Sequence, residues 1–374
     1  MFRDQEILAF YLPQFHPIPE NDEWWGKGFT EWRSVARARR LFPGHYQPHV
    51  PGDLGFYDLR VDAVREEQAE LAAEAGITGF VYWHYWFHGR ELLEMPLRRL
   101  VSQPKVKSKF CVAWANHNWT RRWVGGDSDV VLAQTYSAAD DRAHIRSLRP
   151  MLMDERYVRS EGRPIIFVYR ASDLPNPRAT ASVWRSEAAK WGLPGLYLIR
   201  LESSPRDIGN PLDWGFDASA QHEPTWWGTM RSPIHHLAAR AARRAFGSFY
   251  PVVASYEAFA QGALQRSYES LTLGFDRWPS VAVGFDNTPR YGHRKQGIAL
   301  VGGSPAAYEA WLREACRLSL KSAQDRGGAS LVMINAWNEW AEGMHLEPDL
   351  KYGHAYLHAT RRAVEAARSL AVGV

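Results

Sequence analysis

A chain of 374 residues with 45% hydrophobic residues, 45 lysines and arginines and 41 acids has an ordinary globular composition. No stretch approaches the ~20 apolar residues that span a bilayer, and a surplus of four positive charges is too small for nucleic-acid binding without a concentrated patch. The two cysteines, Cys111 and Cys316, lie in a strand-like and a helix-like pattern, which suits buried thiols in a reducing compartment rather than a disulfide framework.

The length exceeds a usual domain of roughly 100 to 200 residues, yet one (β/α)8 barrel with long loops accommodates residues 1–374 as a single catalytic domain. The first residues, Met1 to Glu6, show no secretion-leader pattern, so the cytoplasm is the expected location. Aromatic residues reach 13%, with 17 tryptophans. Many of these stand beside Asn, His, Asp or Glu: Trp24, Trp25, Trp32, Trp83, Trp86, Trp114, Trp119, Trp123, Trp226, Trp227, Trp337 and Trp340. That mixture suits a sugar, whose CH face packs on a ring while its hydroxyls seek planar polar partners, and core packing accounts for the remainder.

In chain order, Glu6 to Leu12 reads as a strand stopped by Pro13-Gln14-Phe15-His16. The proline- and aromatic-rich stretch from Ile18 to Asp58 is too long for a plain connection and is expected to fold over something. Val61 to Ala75 has helical spacing and a Gly76 stop. Ile77 to Trp86 is a second strand on which aromatics and histidines alternate, so one face lines a cavity and the other packs. A helix is expected over Glu91 to Val101, a strand over Phe110 to Ala115, a helix over Ala138 to Met153 and a strand over Pro164 to Tyr169. Ser182 to Trp191 is helical, Leu196 to Leu201 a fifth strand and Phe216 to Ala220 a weaker sixth. The basic segment Arg231 to Arg244 reads as a solvated helix face, with an anionic glycan or membrane surface as the alternative. A helix near Tyr256 to Gln265, a strand over Ser280 to Phe285, a long helix over Pro305 to Gln324, an eighth strand over Leu331 to Ile334 and a helix over Ala355 to Leu370 complete the chain.

Eight short strands separated mostly by helices fit an α/β architecture of the (β/α)8 TIM-barrel type, with its site on the C-terminal face. A doubly wound open sheet would favour a glycine-rich turn after an early strand, and none is found. The strand ends supply candidate binding residues: Tyr11, Gln14, His16, Trp24, Trp25 and Trp32 after the first; Trp83, His84 and Tyr85 on the second; Trp114, Asn116, His117, Trp119 and Arg121 at the third. Glu223, Asp286 and Arg290 follow the sixth and seventh. After the eighth, periodicity ends in Trp337, Asn338, Glu339, Trp340, Glu342 and Glu347. Glu339 and Glu342, three apart between tryptophans, can share an aromatic pocket that raises one pKa above the other, which suits acid/base work on a glycosidic bond. A loop whose acids cap the next segment or pair with surface cations is the plainer reading. His84 with His88, or His16 with His45, lack a third ligand at suitable spacing, so no metal or cofactor is expected.

At Phe10 to His16, Trp24 to Trp32, Trp114 to Trp123 and Asn335 to Glu342 the chain resembles the WbsX-type family along essentially its whole length. That family is often labelled glycosyltransferase from polysaccharide gene clusters, and it is similar to the endo-α-mannosidase group of glycoside hydrolases. The resemblance implies a (β/α)8 barrel. It maps the mannosidases' Trp-Asn-Glu-Trp-x-Glu setting onto Trp337 to Glu342, with Glu339 as the base that deprotonates the sugar 2-hydroxyl and Glu342 as the acid/base, giving retention. It also sets His117 where many relatives carry Glu.

The first functional reading is a retaining glycoside hydrolase or transglycosylase acting on a mannose- or rhamnose-containing bacterial cell-surface polysaccharide through Glu339 and Glu342. A glycosyltransferase of O-antigen-type synthesis is the second, supported by Asp127-Ser-Asp129 as an Asp-x-Asp match. A non-catalytic glycan-binding barrel is the third. Each takes an oligo- or polysaccharide as partner, without nucleic acid or a membrane span.

Overall fold

A computed structural model describes residues 5–121, 126–225, 244, 251–291 and 297–372. Trp123, Trp226, Trp227 and nearly all of the basic segment 231–244 lie outside them. Eight parallel strands form the barrel: β1 (Gln5–Tyr11), β2 (Gly79–Phe87), β3 (Lys109–Trp114), β4 (Arg163–Val168), β5 (Tyr197–Glu202), β6 (Ala218–Gln221), β7 (Asp276–Trp278 and Ser280–Ala282) and β8 (Ser330–Asn335). Each neighbours the next, and β1 pairs with β8 from Gln5↔Ser330 to Ala9↔Ile334.

Closure depends on Pro279. With no N–H, a proline interrupts the ladder. The residues before it pair with β6 (Ala218↔Asp276) and those after it with β8 (Ser280↔Met333), so one run joins both edges. Strands such as Phe110 to Trp114 and Leu331 to Ile334 are buried throughout, as parallel strands covered on both faces must be.

The helices that pack outside are α1 (Asp62–Glu74), α2 (Met95–Val101), α3 (Ala138–Ser147), α4 (Pro177–Ala189), α5 (Tyr256–Glu269), α6 (Pro305–Arg326) and α7 (Ala355–Val372). Between β5 and β6, 3-10 turns at Pro205–Asp207 and Pro211–Trp214 stand where a helix would. No helix among the described residues is long and apolar enough to cross a membrane. Both cysteines are buried and free, Cys111 on β3 and Cys316 on α6.

Two expected helices are shorter. Residues 90–92 instead form a strand paired antiparallel with the end of β2 (Tyr85↔Leu92), because His88 and Gly89 both take positive φ and make the tight turn that hairpins prefer. The helix expected to Met153 stops at Ser147, and a short helix restarts at Arg149 with Pro150 in its first turn.

The long stretch after β1 carries helices Pro19–Trp25 and Trp32–Arg37 and lies across the loop that follows β8. Trp32 meets Trp340 at 5.6 Å between ring centroids, and the N–H of Gly52 donates to the carbonyl of Pro348 at 2.8 Å.

Candidate active site

The two glutamates meet because the chain after β8 makes a 3-10 turn. Asn338–Glu339 pairs antiparallel with Met344–His345, and between them Trp340–Glu342 winds at three residues per turn, which sets positions 339 and 342 on one side. Gly343 closes the turn at φ 61°, and a Cβ there would also press within 3.2 Å of Asp286. Asn338 ties the turn to the end of β1, with its Oδ1 accepting from the Leu12 N–H at 2.7 Å and its Nδ2 donating to the Leu12 carbonyl at 3.1 Å.

One cation serves both acids. Arg290, from the short helix after β7, donates through Nη2 to Glu339 at 2.8 Å and through Nη1 to Glu342. Its Nε and Nη2 also hold Glu31 at 2.9 and 2.7 Å. The Glu31 side chain is 0% exposed, that of Arg290 16% and that of Glu342 21%. Burial pushes Glu339 up to about 8; Arg290 pulls it down, and the charges of Glu342 and Glu31 push it up again. Burial raises Glu31 as well, against the pull of Arg290. Three carboxyls around one guanidinium cannot all ionise without net buried negative charge, so a proton stays in the cluster at neutral pH.

Asp286 braces the turn from behind. Its N–H donates to the Glu342 carbonyl at 2.6 Å, and its carboxylate accepts from His45 Nε2 (2.6 Å), Gln47 Nε2 (2.7 Å) and Thr288 Oγ1 (2.6 Å). Burial pushes this carboxyl up, but those donors outweigh it and hold it below the usual range. Asp286→Ala is expected to cost about 1–3 kcal/mol in denaturant melts, since it leaves buried donors unpaired. It should also lower turnover roughly 10- to 100-fold by loosening the turn.

Strand alternation sorts the aromatic candidates. Phe10, Trp83, Phe167, Tyr169 and His222 point inward and pack edge to edge or stacked, with Trp83 on Phe10 at 5.0 Å and His222 within 5.7 Å of Trp83. Burial lowers the His222 pKa to about 4, so its ring is neutral. His117 lies beside Tyr169 at 5.4 Å, and Trp119 gathers Trp24 (5.6 Å) and Tyr85 (5.0 Å) into a wall near the acids. Tyr85, whose phenol is raised by burial and by the charge of Glu339, lies within electrostatic reach of the cluster. Trp25, the last residue of the helix Pro19–Trp25, packs against Phe29 in the loop that follows it.

Other candidates belong to the interior. Tyr11 faces α1 and donates to Gln68 at 2.7 Å, whereas His84 and Trp114 face α3, where His84 pairs with His144 at 2.9 Å. Asn116 ties β3 to Arg170 through both amide atoms at 2.8 Å, and Glu223 is taken by Arg266 of α5. Trp337 is fully buried. The Trp340 indole donates to Glu347 at 2.6 Å, and Glu347, raised to about 7 by burial, also accepts from Tyr57 and Gln68. Trp32 donates to the Tyr57 carbonyl at 2.7 Å. Gln14 and His16 are buried behind the long loop, His16 lowered to about 4 by burial. The Arg121 side chain is outside the described residues; its backbone and the 127–129 triplet lie on an antiparallel hairpin. Glu31 was absent from the candidate set; its only sequence signal is the Gly28-Phe-Thr-Glu-Trp32 stretch.

A family model described as Glycosyltransferase WbsX matches residues 7–360. Two relatives, both described as uncharacterized protein WxcX, from Xanthomonas campestris pv. campestris, are 41% identical over 368 residues, covering 98% of this chain and 51% of theirs. The chain thus spans about half the length of the curated relatives it matches. Among solved structures, the GH99 endo-alpha-mannosidase from Bacteroides thetaiotaomicron aligns with a TM-score of 0.59 and 15% identity over 99% of both chains. A glycoside hydrolase-like protein gives 0.59 at 14% over 96% of this chain and 94% of its own, and GH5_18 from Streptomyces cattleya 0.51 at 11% over 98% and 81%. At such identities the likeness is one of fold, a TIM barrel. The family match over nearly all of the chain, together with 41% identity to its relatives, shows that the chain belongs to the WbsX glycosyltransferase family.

Proposed function

We propose that this carbohydrate-active protein is a retaining glycoside hydrolase acting on mannose- or rhamnose-type units of a bacterial cell-surface polysaccharide, with Glu339 and Glu342 as the acting pair. The observation that carries the reading is the pair of carboxyls on one 3-10 turn, joined by Arg290 at the C-terminal mouth beside the Trp24–Tyr85–Trp119 wall. Two acids of unlike environment supply what glycoside cleavage needs, a proton for the leaving oxygen and a group that attacks the anomeric carbon or activates the attacker.

The resting electrostatics favour an order opposite to the one the family resemblance implies. Glu339, raised to about 8, holds its proton at neutral pH and donates it to the leaving oxygen. Glu342, more open to the mouth, attacks directly or takes the proton of the substrate's 2-hydroxyl. In either route Arg290 offsets negative charge and orients both carboxyls.

The test is incubation of the purified protein with mannan and rhamnan oligosaccharides, with and without nucleotide sugars, with products read by mass spectrometry. Shortening without a nucleotide is expected, and kcat/KM should fall as pH rises through about 8 as the acid loses its proton. A rate that instead rises through that range would restore Glu339 as the base. Elongation only with a nucleotide sugar would overturn the hydrolase and make Asp127 and Asp129 the residues to change.

A further inference from the structure

Behind the catalytic turn, the loop carrying Tyr46 and His49 meets the segment from His345 to Tyr352. The two are already joined by backbone: the Leu350 N–H donates to the Val50 carbonyl at 2.9 Å, and Pro51 bridges to Asp349. At this junction His49 Nδ1 lies 2.7 Å from His345 Nε2, and Asp349 Oδ2 lies 3.8 Å from the same Nε2. All three ligand atoms fall within 4.8 Å of one another.

We propose that His49, His345 and Asp349 form a binding site for a divalent transition-metal ion of the zinc class.

The donor set and its support argue for it. Two imidazoles and one carboxylate are a zinc-type ligand set that leaves a fourth position for water. His345 and Asp349 are each oriented by further contacts, as metal ligands are, and the His49 ring stacks on Tyr46 at 4.1 Å. His345 Nδ1 lies 3.0 Å from the Glu347 carbonyl, to which its N–H donates, so Nε2 presents its lone pair toward His49. Its ring is fixed by stacking on Trp340 at 3.7 Å and 12°. Asp349 Oδ1 accepts from the Lys351 and Tyr352 N–H groups at 2.9 and 2.6 Å, and Oδ2 accepts from the Tyr46 hydroxyl at 2.9 Å.

A single N–H···N bond between the rings is the alternative account of the 2.7 Å contact. Tetrahedral metal–nitrogen bonds of ~2.0–2.1 Å would hold the two nitrogens about 3.3 Å apart, so that pair opens by roughly half an ångström while the carboxylate oxygen, now within 4.8 Å of both rings, draws in. His49 is half-buried. A recess of about 150 Å³, lined also by His45, Asp286 and Gly343, leaves room for the fourth ligand. Asp286 adds favourable charge, opposed by the Lys351 ammonium over the Tyr46 ring at 4.2 Å. Through the His345–Trp340 stack the ion would staple the outer loop to the catalytic turn, whatever reaction that turn performs.

The test uses the 374-residue protein stripped with a chelator, reloaded with zinc and desalted. Metal analysis is expected to find about one equivalent bound, and cobalt in place of zinc should give the visible bands of a tetrahedral N,O site. His49→Gln and Asp349→Asn should each weaken zinc binding roughly 10- to 100-fold. Circular dichroism checks their folding. Wild type that retains no zinc and gives no cobalt bands would overturn the site, as would a folded His49→Gln variant that binds like wild type.

Discussion

Glu339→Gln is expected to abolish turnover and, above pH 7, to raise thermal stability. The first effect follows from its place in the proposed acting pair, for which a loss of at least ~10³-fold is in the range of acid/base groups. The second follows from burial. The Glu339 carboxyl goes from an ordinary 4.5 to about 8 on folding, so between those values the native state holds more protons than the unfolded chain. Stability is therefore highest below the unfolded pKa and is lost as pH rises through that window, at no more than about 1.4 kcal/mol per pH unit. Glutamine keeps an acceptor for Arg290 and carries no charge, so the variant escapes a penalty of a few kcal/mol at pH 8 to 9. Glu347, raised to about 7, adds a slope of the same sign over the narrower window from 4.5 to about 7. Thermal melts of both proteins from pH 4 to pH 9 decide it, and a variant less stable than wild type at pH 8 would sink the argument.

Arg290→Met should be equally inactive but should shift stability the other way. It strips the only cation hydrogen-bonded to Glu31, Glu339 and Glu342 among the described residues. Removing one partner of a buried ion pair costs about 3–5 kcal/mol, because the remaining charge is left uncompensated. Protons can take the cation's place as pH falls, so the deficit should be large at pH 8 and much smaller at pH 5. The same melts read it out. A deficit independent of pH would mean that Arg290 acts by packing and that the charge count around it is wrong.

These opposite signs depend on a cluster that the sequence showed only in part. Glu339 and Glu342 were legible because a strand buried on both faces ran into acids three residues apart, and that spacing holds in a 3-10 turn as in a helix. Arg290 was legible as a strand-end residue. Glu31 was not, because it reaches Arg290 across 259 residues, a contact that no local pattern encodes. The same limit applied to the tryptophans and histidines. Alternation on β2 showed that one face lines a cavity, but which face needed the neighbours: Trp83 and Tyr85 look into the barrel, and His84 looks out at His144 on α3.

By itself, then, the sequence determined the eight strands, the helices between most of them and the end of the barrel where the polar groups gather, because periodicity and proline or glycine stops are properties of neighbouring residues. Tertiary structure decided the rest. Strand register set which rings are core, as for Trp114 and Trp337, and which stand at the mouth, as for Trp119. Closure at Pro279 brought the loops after β1, β7 and β8 together, so that Glu31, Arg290 and the two glutamates share one buried charge balance. A side chain's pKa and partners depend on what lies within a few ångströms in space, and chain separation carries no information about that once the barrel has closed.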